Sequence, residues 1–125
     1  MKAQVNFDSL GGGGSYKEGT EDNTTSASQT VTINTGLSSI SKFFLTSDGI
    51  DSGDTYEIYY TSDNSSYYFS AMMRTSTMYG GIAAIGNAPA VQAWKVTSIN
   101  NGVVTLASPS NDSHGKQTNI SWLAI

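Results

Sequence analysis

Apolar and polar residues alternate along several short segments of the chain. Within residues 29–34, Val31 and Ile33 fall on one side and the intervening threonines on the other, which is the two-residue period of a half-buried β-strand. Similar segments predict strands at residues 40–46, 56–60, 67–73, 91–99, 103–106 and 119–125, with a further short strand near Lys17. Seven or eight short strands at fairly even spacing predict an all-β domain, an antiparallel β-sandwich or jelly roll.

Turn-forming residues between these segments predict two hairpins. Asn100-Asn101-Gly102 separates strands 91–99 and 103–106, and Asn and Gly tolerate the positive φ angles of a tight turn. Residues 62–65, Ser-Asp-Asn-Ser, return the chain from strand 56–60 to strand 67–73. Aromatic residues of those two strands are therefore expected to pair across the hairpin. The last segment, 119–125, is expected to complete a sheet as its closing strand.

The first ten residues are separated from the rest by a glycine run. Residues 2–7 alternate, with Ala3, Val5 and Phe7 on one face, and residues 11–15 read Gly-Gly-Gly-Gly-Ser. Four consecutive glycines break regular structure because they carry high backbone entropy and cover no apolar surface. We therefore divide the chain into an N-terminal arm (1–10), a linker (11–15) and a β-sandwich domain (16–125). The arm either adds a strand to the open edge of a neighbouring chain or forms a first strand of its own domain.

Residues 75–90 contain no charged side chain and combine Met78, Tyr79, Ile82 and Ile85 with several glycines. Such a stretch is too rich in glycine for a helix. A long covering loop, a short strand and a subunit contact all fit this composition. The subunit contact is attractive because interface centres are depleted of charges and large exposed apolar patches are rare on monomers. We therefore predict that these four residues and the arm residues Val5 and Phe7 serve assembly.

Composition excludes several classes of function. Charged residues make up only 13% of the chain and the net charge is -4, so no basic surface for a nucleic-acid backbone is expected. The absence of cysteine excludes thiol nucleophiles and Cys-ligated metals. No apolar run approaches the length that crosses a bilayer, and residues 2–7 lack the apolar core of a signal peptide. We therefore expect a soluble protein, without membrane insertion, that reaches any extracellular site by another route, such as release in a phage particle.

Candidate catalytic and metal-binding residues are few. His114 is the only histidine and lies in a polar turn with no evident partner for nucleophilic catalysis. Asp48, Asp51 and Asp54 could offer calcium its oxygen ligands, but their spacing does not match an EF-hand and Asp and Gly are ordinary turn residues. Glu57 lacks a second carboxylate for glycosidase chemistry. We therefore predict no enzymatic activity, no cofactor and no metal, and leave calcium at the Asp48 loop open.

Aromatic residues are the remaining candidates for binding. Their rings can stack on the apolar faces of sugars, while neighbouring polar groups bind the hydroxyls. Trp94 and Trp122 lie within predicted strands and are expected to pack in the core, whereas the tyrosines of strand 56–60 should divide by parity into buried and exposed sets. The residues predicted to bind a glycan are Tyr59, Tyr60, Tyr67 and Tyr68.

Two short motifs resemble those of known β-sandwich modules. Residues 32–37, Thr-Ile-Asn-Thr-Gly-Leu, resemble the opening of small modules in bacteriophage tail fibres and other virion appendages. Residues 120–125, Ile-Ser-Trp-Leu-Ala-Ile, resemble the closing strand of those modules and of H-type lectins. The resemblance implies an antiparallel sandwich that commonly trimerises and carries recognition loops at one end. It transfers no sugar-binding residue.

These observations lead to two functional hypotheses. The first is a non-enzymatic structural protein of a phage particle, a head or tail accessory, decoration or adhesion subunit. Its arm would join other virion proteins, its sandwich would face outward, and a homo-oligomer, favoured as a trimer, is expected. The alternative is a stand-alone carbohydrate-binding module, with a cell-surface glycan as ligand.

Overall fold

The computed structural model describes residues 16–23, 30–49, 53–89, 93–107 and 117–125. Nine strands and one short 3₁₀ turn, Ser62–Asn64, occur within these ranges. The strands are β1 Lys17–Asn23, β2 Thr30–Asn34, β3 Lys42–Gly49, β4 Thr55–Thr61, β5 Tyr67–Arg74, β6 Thr77–Ala84, β7 Lys95–Asn100, β8 Val103–Ala107 and β9 Gln117–Ala124.

The strands form two antiparallel sheets. The larger has six strands in the order β1-β9-β3-β4-β5-β6, and the smaller has three in the order β2-β8-β7. Every pairing in both sheets is antiparallel. The all-β antiparallel sandwich predicted from the alternation is confirmed, with nine strands in the described residues where seven or eight were expected.

Both predicted hairpins are present. β7 and β8 are joined through Asn101 and Gly102, whose φ angles are +49° and +76°, as a two-residue turn with two left-handed positions requires. The backbone N–H of Thr35, just after β2, donates to the carbonyl oxygen of Gly102 at 3.0 Å. This bond ties the hairpin to the neighbouring strand of the same sheet.

The core lies between the two sheets and is built by alternate residues of each strand. β3 buries Phe43 and Leu45 while exposing the residue between them. Trp94 is fully buried, and its Nε1 donates to Ser47 Oγ at 3.0 Å. Trp122 is also buried, so the prediction that both tryptophans pack in the core is confirmed. The smaller sheet contributes Val31, Ile33, Val96, Val104 and Leu106 to this core.

β9 follows β8 in the chain but lies in the other sheet, between β1 and β3. Residues 77–84 of the uncharged stretch form a strand at the edge of the larger sheet and not a covering loop, while the subunit contact stays a prediction. Several features named from the sequence lie outside the described residues: the N-terminal arm with Val5 and Phe7, the linker, Asp51 and His114. No helix in the described part of the chain has the length and apolar character to cross a membrane.

Candidate functional site

A continuous row of apolar side chains crosses the outer face of the six-stranded sheet. Leu123 on β9 lies opposite Phe44 on β3, and Phe44 lies opposite Tyr59 on β4. Tyr59 then faces Phe69 on β5, and Phe69 faces Ile82 on β6. Because directly opposed residues in an antiparallel sheet share one face, these five side chains form a single line, which we call the outer stripe.

The outer stripe is solvent-exposed. Phe44 is 40% exposed, Tyr59 37% and Ile82 70%, whereas Leu123 and Phe69 are partly buried. With neighbouring strands about 4.8 Å apart, the stripe runs roughly 19 Å across the sheet. At the β1 end the row finishes on Glu18, which lies opposite Leu123.

Close packing holds the aromatic rings of the outer stripe in place. The ring centroids of Phe44 and Tyr59 are 5.1 Å apart, with a tilt of 42° between the planes, a favourable arrangement for aromatic pairs. The ring of Phe69 covers Gly80 on β6, since a Cβ at Gly80 would lie 2.8 Å from Phe69 Cζ. A preformed surface of this kind loses little side-chain entropy when a partner covers it.

The two flanks of the outer stripe differ in chemistry. On one flank the next row contains Ser121, Thr46 and Glu57, and a shallow hollow forms where Thr46 and Glu57 border Phe44 and Tyr59. Glu57 is exposed and offers a carboxylate acceptor beside the rings. The stripe therefore has a polar margin, as the rims of binding surfaces commonly have.

On the other flank, the β4–β5 turn forms a second hollow. It is bordered by Tyr59, Thr61, Asn64 and Tyr67, and Tyr67 is 47% exposed. The structure therefore brings together Tyr59 and Tyr67 of the four tyrosines predicted to bind a glycan. An exposed ring pair with a neighbouring amide is an arrangement suited to stacking on a sugar and bonding its hydroxyls.

The other two tyrosines of that prediction belong to the core, and here the prediction is wrong. Tyr60 is 6% exposed and Tyr68 is 2% exposed, since alternate positions of β4 and β5 point between the sheets. The Tyr68 hydroxyl donates to the carbonyl oxygen of Asn87 at 2.9 Å. Burial raises the pKa of both phenols, and at Tyr68 a hydrogen bond with the Val96 backbone opposes that effect. The parity division between Tyr59 and its strand neighbours is confirmed.

The four residues of the uncharged stretch do not share one surface. Met78 and Ile82 face outward, at 60% and 70% exposure. Tyr79 lies opposite the buried Met72, so it is on the other face of the sheet, where it is 43% exposed. Ile85 packs partly buried against the core. Their assembly role stays a prediction, but it must involve the edge strand from both sides.

The acidic loop is organised around an ion pair. Asp54 is buried, and its Oδ1 and Oδ2 accept from Arg74 Nε at 3.0 Å and Arg74 Nη2 at 2.8 Å. This hydrogen bond raises the pKa of Arg74. Asp48 Oδ2 accepts from Asn119 Nδ2 at 3.0 Å. In the ranges that the structure describes, no three His, Cys, Asp or Glu residues come together as a metal site, and Asp51 lies outside them.

Most of the outer stripe could not be predicted from the sequence because cross-strand register is not readable from one strand. A signal was nevertheless present in Phe43-Phe44-Leu45, Tyr67-Tyr68-Phe69 and Trp122-Leu123-Ala124. Consecutive apolar residues in a strand put apolar side chains on both faces. Such runs therefore indicate a second apolar surface opposite the core.

Comparison of the chain with protein-family models, with curated proteins and with solved structures gave no match. The outer stripe and the β6 edge of the large sheet are therefore the features on which a functional proposal rests.

Proposed function

We propose that this chain is a non-enzymatic structural or adhesion subunit of a larger assembly, of the phage-particle kind indicated by the sequence resemblance, and that the outer stripe is its contact surface. The observation that carries the proposal is the continuous, exposed and prepacked apolar row across five strands. An apolar patch of this extent compares with the largest patch on a typical monomer, and such patches are often functional.

The size of the outer stripe is sufficient for a contact that contributes measurably to affinity. Covering the exposed parts of Phe44, Tyr59 and Ile82 would remove roughly 300 Å² of apolar surface from water, worth roughly 7 kcal/mol in transfer free energy. Association entropy opposes much of that gain, so the polar margin and further contacts must supply the remainder. The low charge of the chain is consistent with a surface that makes few ionic contacts.

Site-specific photocrosslinking tests this proposal. Benzoylphenylalanine replaces Phe44, with Thr32 on the exposed side of the small sheet as the matched control position, and the protein is irradiated in its native particle or cell. We expect a specific macromolecular adduct at position 44 and none at position 32. Equal adduct formation at both positions, or none at either, contradicts a contact role for the outer stripe. The chemistry of the adduct distinguishes a protein partner from a glycan.

A second candidate function is glycan binding, favoured by the hollow between Tyr59, Tyr67 and Asn64. Screening the protein on a glycan array, followed by titration of any hit, tests it directly. Tyr67→Ala should weaken binding by tenfold or more because one stacked ring is lost. Tyr79→Ala is the matched control, since Tyr79 has similar exposure on the opposite face. The same loss in both variants, or no glycan bound by the wild type, contradicts this candidate.

A further inference from the structure

Among the described residues, no strand pairs with the outer side of β6, and β6 lacks the usual features that prevent further strand pairing. It pairs with β5 through eight consecutive residues, Tyr67↔Ala84 to Arg74↔Thr77, without a register shift. Its sequence, Thr-Met-Tyr-Gly-Gly-Ile-Ala-Ala, contains no charge and no proline. Natural edge strands are normally protected by charges, prolines or bulges, because their unpaired N–H and C=O groups otherwise accept another strand.

The opposite edge of the same sheet shows that protection. β1 carries Lys17, Glu18 and Glu21, and its pairing with β9 shifts register between Glu21 and Asn23. The two edges of one sheet therefore differ in the way that distinguishes a solvent edge from a pairing edge.

β6 carries exposed apolar side chains on both of its faces. Ile82 and Met78 are the two most exposed large apolar side chains of the described residues, and both face outward. Tyr79 is exposed on the opposite face. A partner lying on one sheet face would leave the other side uncovered. A strand added beside β6 would form hydrogen bonds with the backbone N–H and C=O groups on its outer side. The same strand would flank apolar side chains on both faces.

We propose that β6 receives the N-terminal segment of a second copy of this chain, with residues 2–7 as the added strand. This inference rests on the proposed function, in which the protein is a subunit of an assembly. Residues 2–7 alternate Ala3, Val5 and Phe7 with polar residues. The apolar set would lie beside Met78 and Ile82 on the outer face and extend the outer stripe by one strand.

The position of β1 favours a second copy over the same chain. The N-terminal segment leads into β1, and β1 and β6 are at opposite edges of the six-stranded sheet, roughly 24 Å apart at five strand spacings. A strand added beside β6 lies one spacing further, so residues 8–16 would have to span roughly 29 Å and pass around a sheet face. A glycine-rich chain of that length has a root-mean-square end-to-end distance of roughly 17 Å. Pairing with a neighbouring copy avoids that extension. Because the N-terminal segment of one copy then binds β6 of the next, the contact joins unlike surfaces, and the copies form a closed ring or a filament.

Thiol cross-linking tests the proposal, because the chain has no natural cysteine. The full-length double variant Val5→Cys/Ile82→Cys is treated with a short bis-maleimide and analysed on a denaturing gel. We expect covalent dimers and higher multiples of the 13.2 kDa chain. The matched control is Val5→Cys/Thr20→Cys, because Thr20 is exposed on the protected edge strand β1. It should give at least fivefold less of these products.

Every other outcome contradicts the proposal. Cross-linked products that remain monomeric identify the same chain as the occupant, and equal multiples in the control indicate random association. Absence of cross-linking means that β6 is free or receives another partner. A second test does not depend on cysteine placement. The mass of Val5→Pro measured by light scattering should be that of the monomer, because proline cannot donate a backbone hydrogen bond to a neighbouring strand. Ser9→Pro should keep the mass of the assembly.

The same experiments separate this inference from the proposed function. Phe44→Ser on the outer stripe should leave the cross-linking of Val5→Cys/Ile82→Cys unchanged. If that pair fails to cross-link while position 44 still gives its adduct, only the strand-addition inference is lost. If the pair cross-links but position 44 gives no adduct, the contact role of the outer stripe is lost.

Discussion

Replacement of Gly102 by alanine should be among the most destabilising single changes in the described part of the chain. Gly102 occupies the second position of the β7–β8 turn at φ +76°. Its carbonyl oxygen accepts from the Thr35 N–H at 3.0 Å and from Thr35 Oγ1 at 2.7 Å. A Cβ at this position would lie 2.8 Å from the carbonyl carbon of Leu37 and nearer still to its oxygen. The backbone on one side of the clash must therefore move.

The magnitude follows from three contributions. An L-residue in the left-handed region costs about 1–2 kcal/mol, and overpacking against backbone costs about 1–3 kcal/mol. Weakening the two hydrogen bonds to Thr35 costs about 1 kcal/mol each. We therefore expect Gly102→Ala to lower the free energy of unfolding by about 4–7 kcal/mol, a large share of the total stability of a typical domain.

Gly36→Ala is a matched control because it separates backbone strain from the clash. Gly36 also has φ +76°, but a Cβ there would meet no atom of the described residues within 4 Å. It should cost only about 1–2 kcal/mol. Urea unfolding followed by the fluorescence of Trp94 and Trp122 measures both variants, with midpoints compared at equal slope. Equal destabilisation by the two substitutions would refute the reasoning, since the packing of the turn against residues 35–37 would then contribute nothing.

Three further predictions concern buried polar groups. Ser47→Ala removes the acceptor of the buried Trp94 Nε1 and should cost about 1–3 kcal/mol in urea unfolding; an unchanged midpoint would contradict the importance of that bond. Burial raises the pKa of Tyr60, so its stabilisation is present below about pH 10 and is lost as pH rises above that value. Tyr60→Phe should therefore reduce the loss of stability as pH rises above about 10, and an identical alkaline profile would show that the effect arises elsewhere. Arg74→Met should lower the thermal midpoint because buried Asp54 loses its guanidinium partner. Arg74→Lys should keep only part of the wild-type thermal midpoint, because lysine cannot form two parallel hydrogen bonds to one carboxylate. A wild-type midpoint in Arg74→Lys would contradict this.

The two faces of the large sheet differ in character, and so do its two edges. The large sheet turns an apolar row outward, and one of its edges is charged while the other is apolar. If the arm adds to the apolar edge, the added strand places Val5 or Phe7 in line with Ile82. Assembly would then enlarge the contact surface that each copy presents. Strand addition at β6 and contact through the outer stripe are thus physically linked, although each is measured separately.

Local features of the chain could be predicted from the sequence. Alternation at Val31 and Ile33 identified a strand and its buried side, because the two-residue period is a property of each strand alone. Asn101 and Gly102 identified a tight turn, because only a few residue types adopt positive φ at low cost. The burial of both tryptophans and the division of the β4 tyrosines into a buried and an exposed set followed from the same local reasoning.

The partners of each strand were decided only by the tertiary structure. Nothing in residues 117–124 specifies that they lie between β1 and β3 instead of beside β8, because that choice depends on packing among segments distant in sequence. Register has the same origin, and it is register that aligns Leu123, Phe44, Tyr59, Phe69 and Ile82 into one row. The sequence by itself thus determined which residues are strands and which sides are apolar. The assembled sheet determined which apolar sides meet to form a surface, because a surface is made by residues that are neighbours in space and not along the chain.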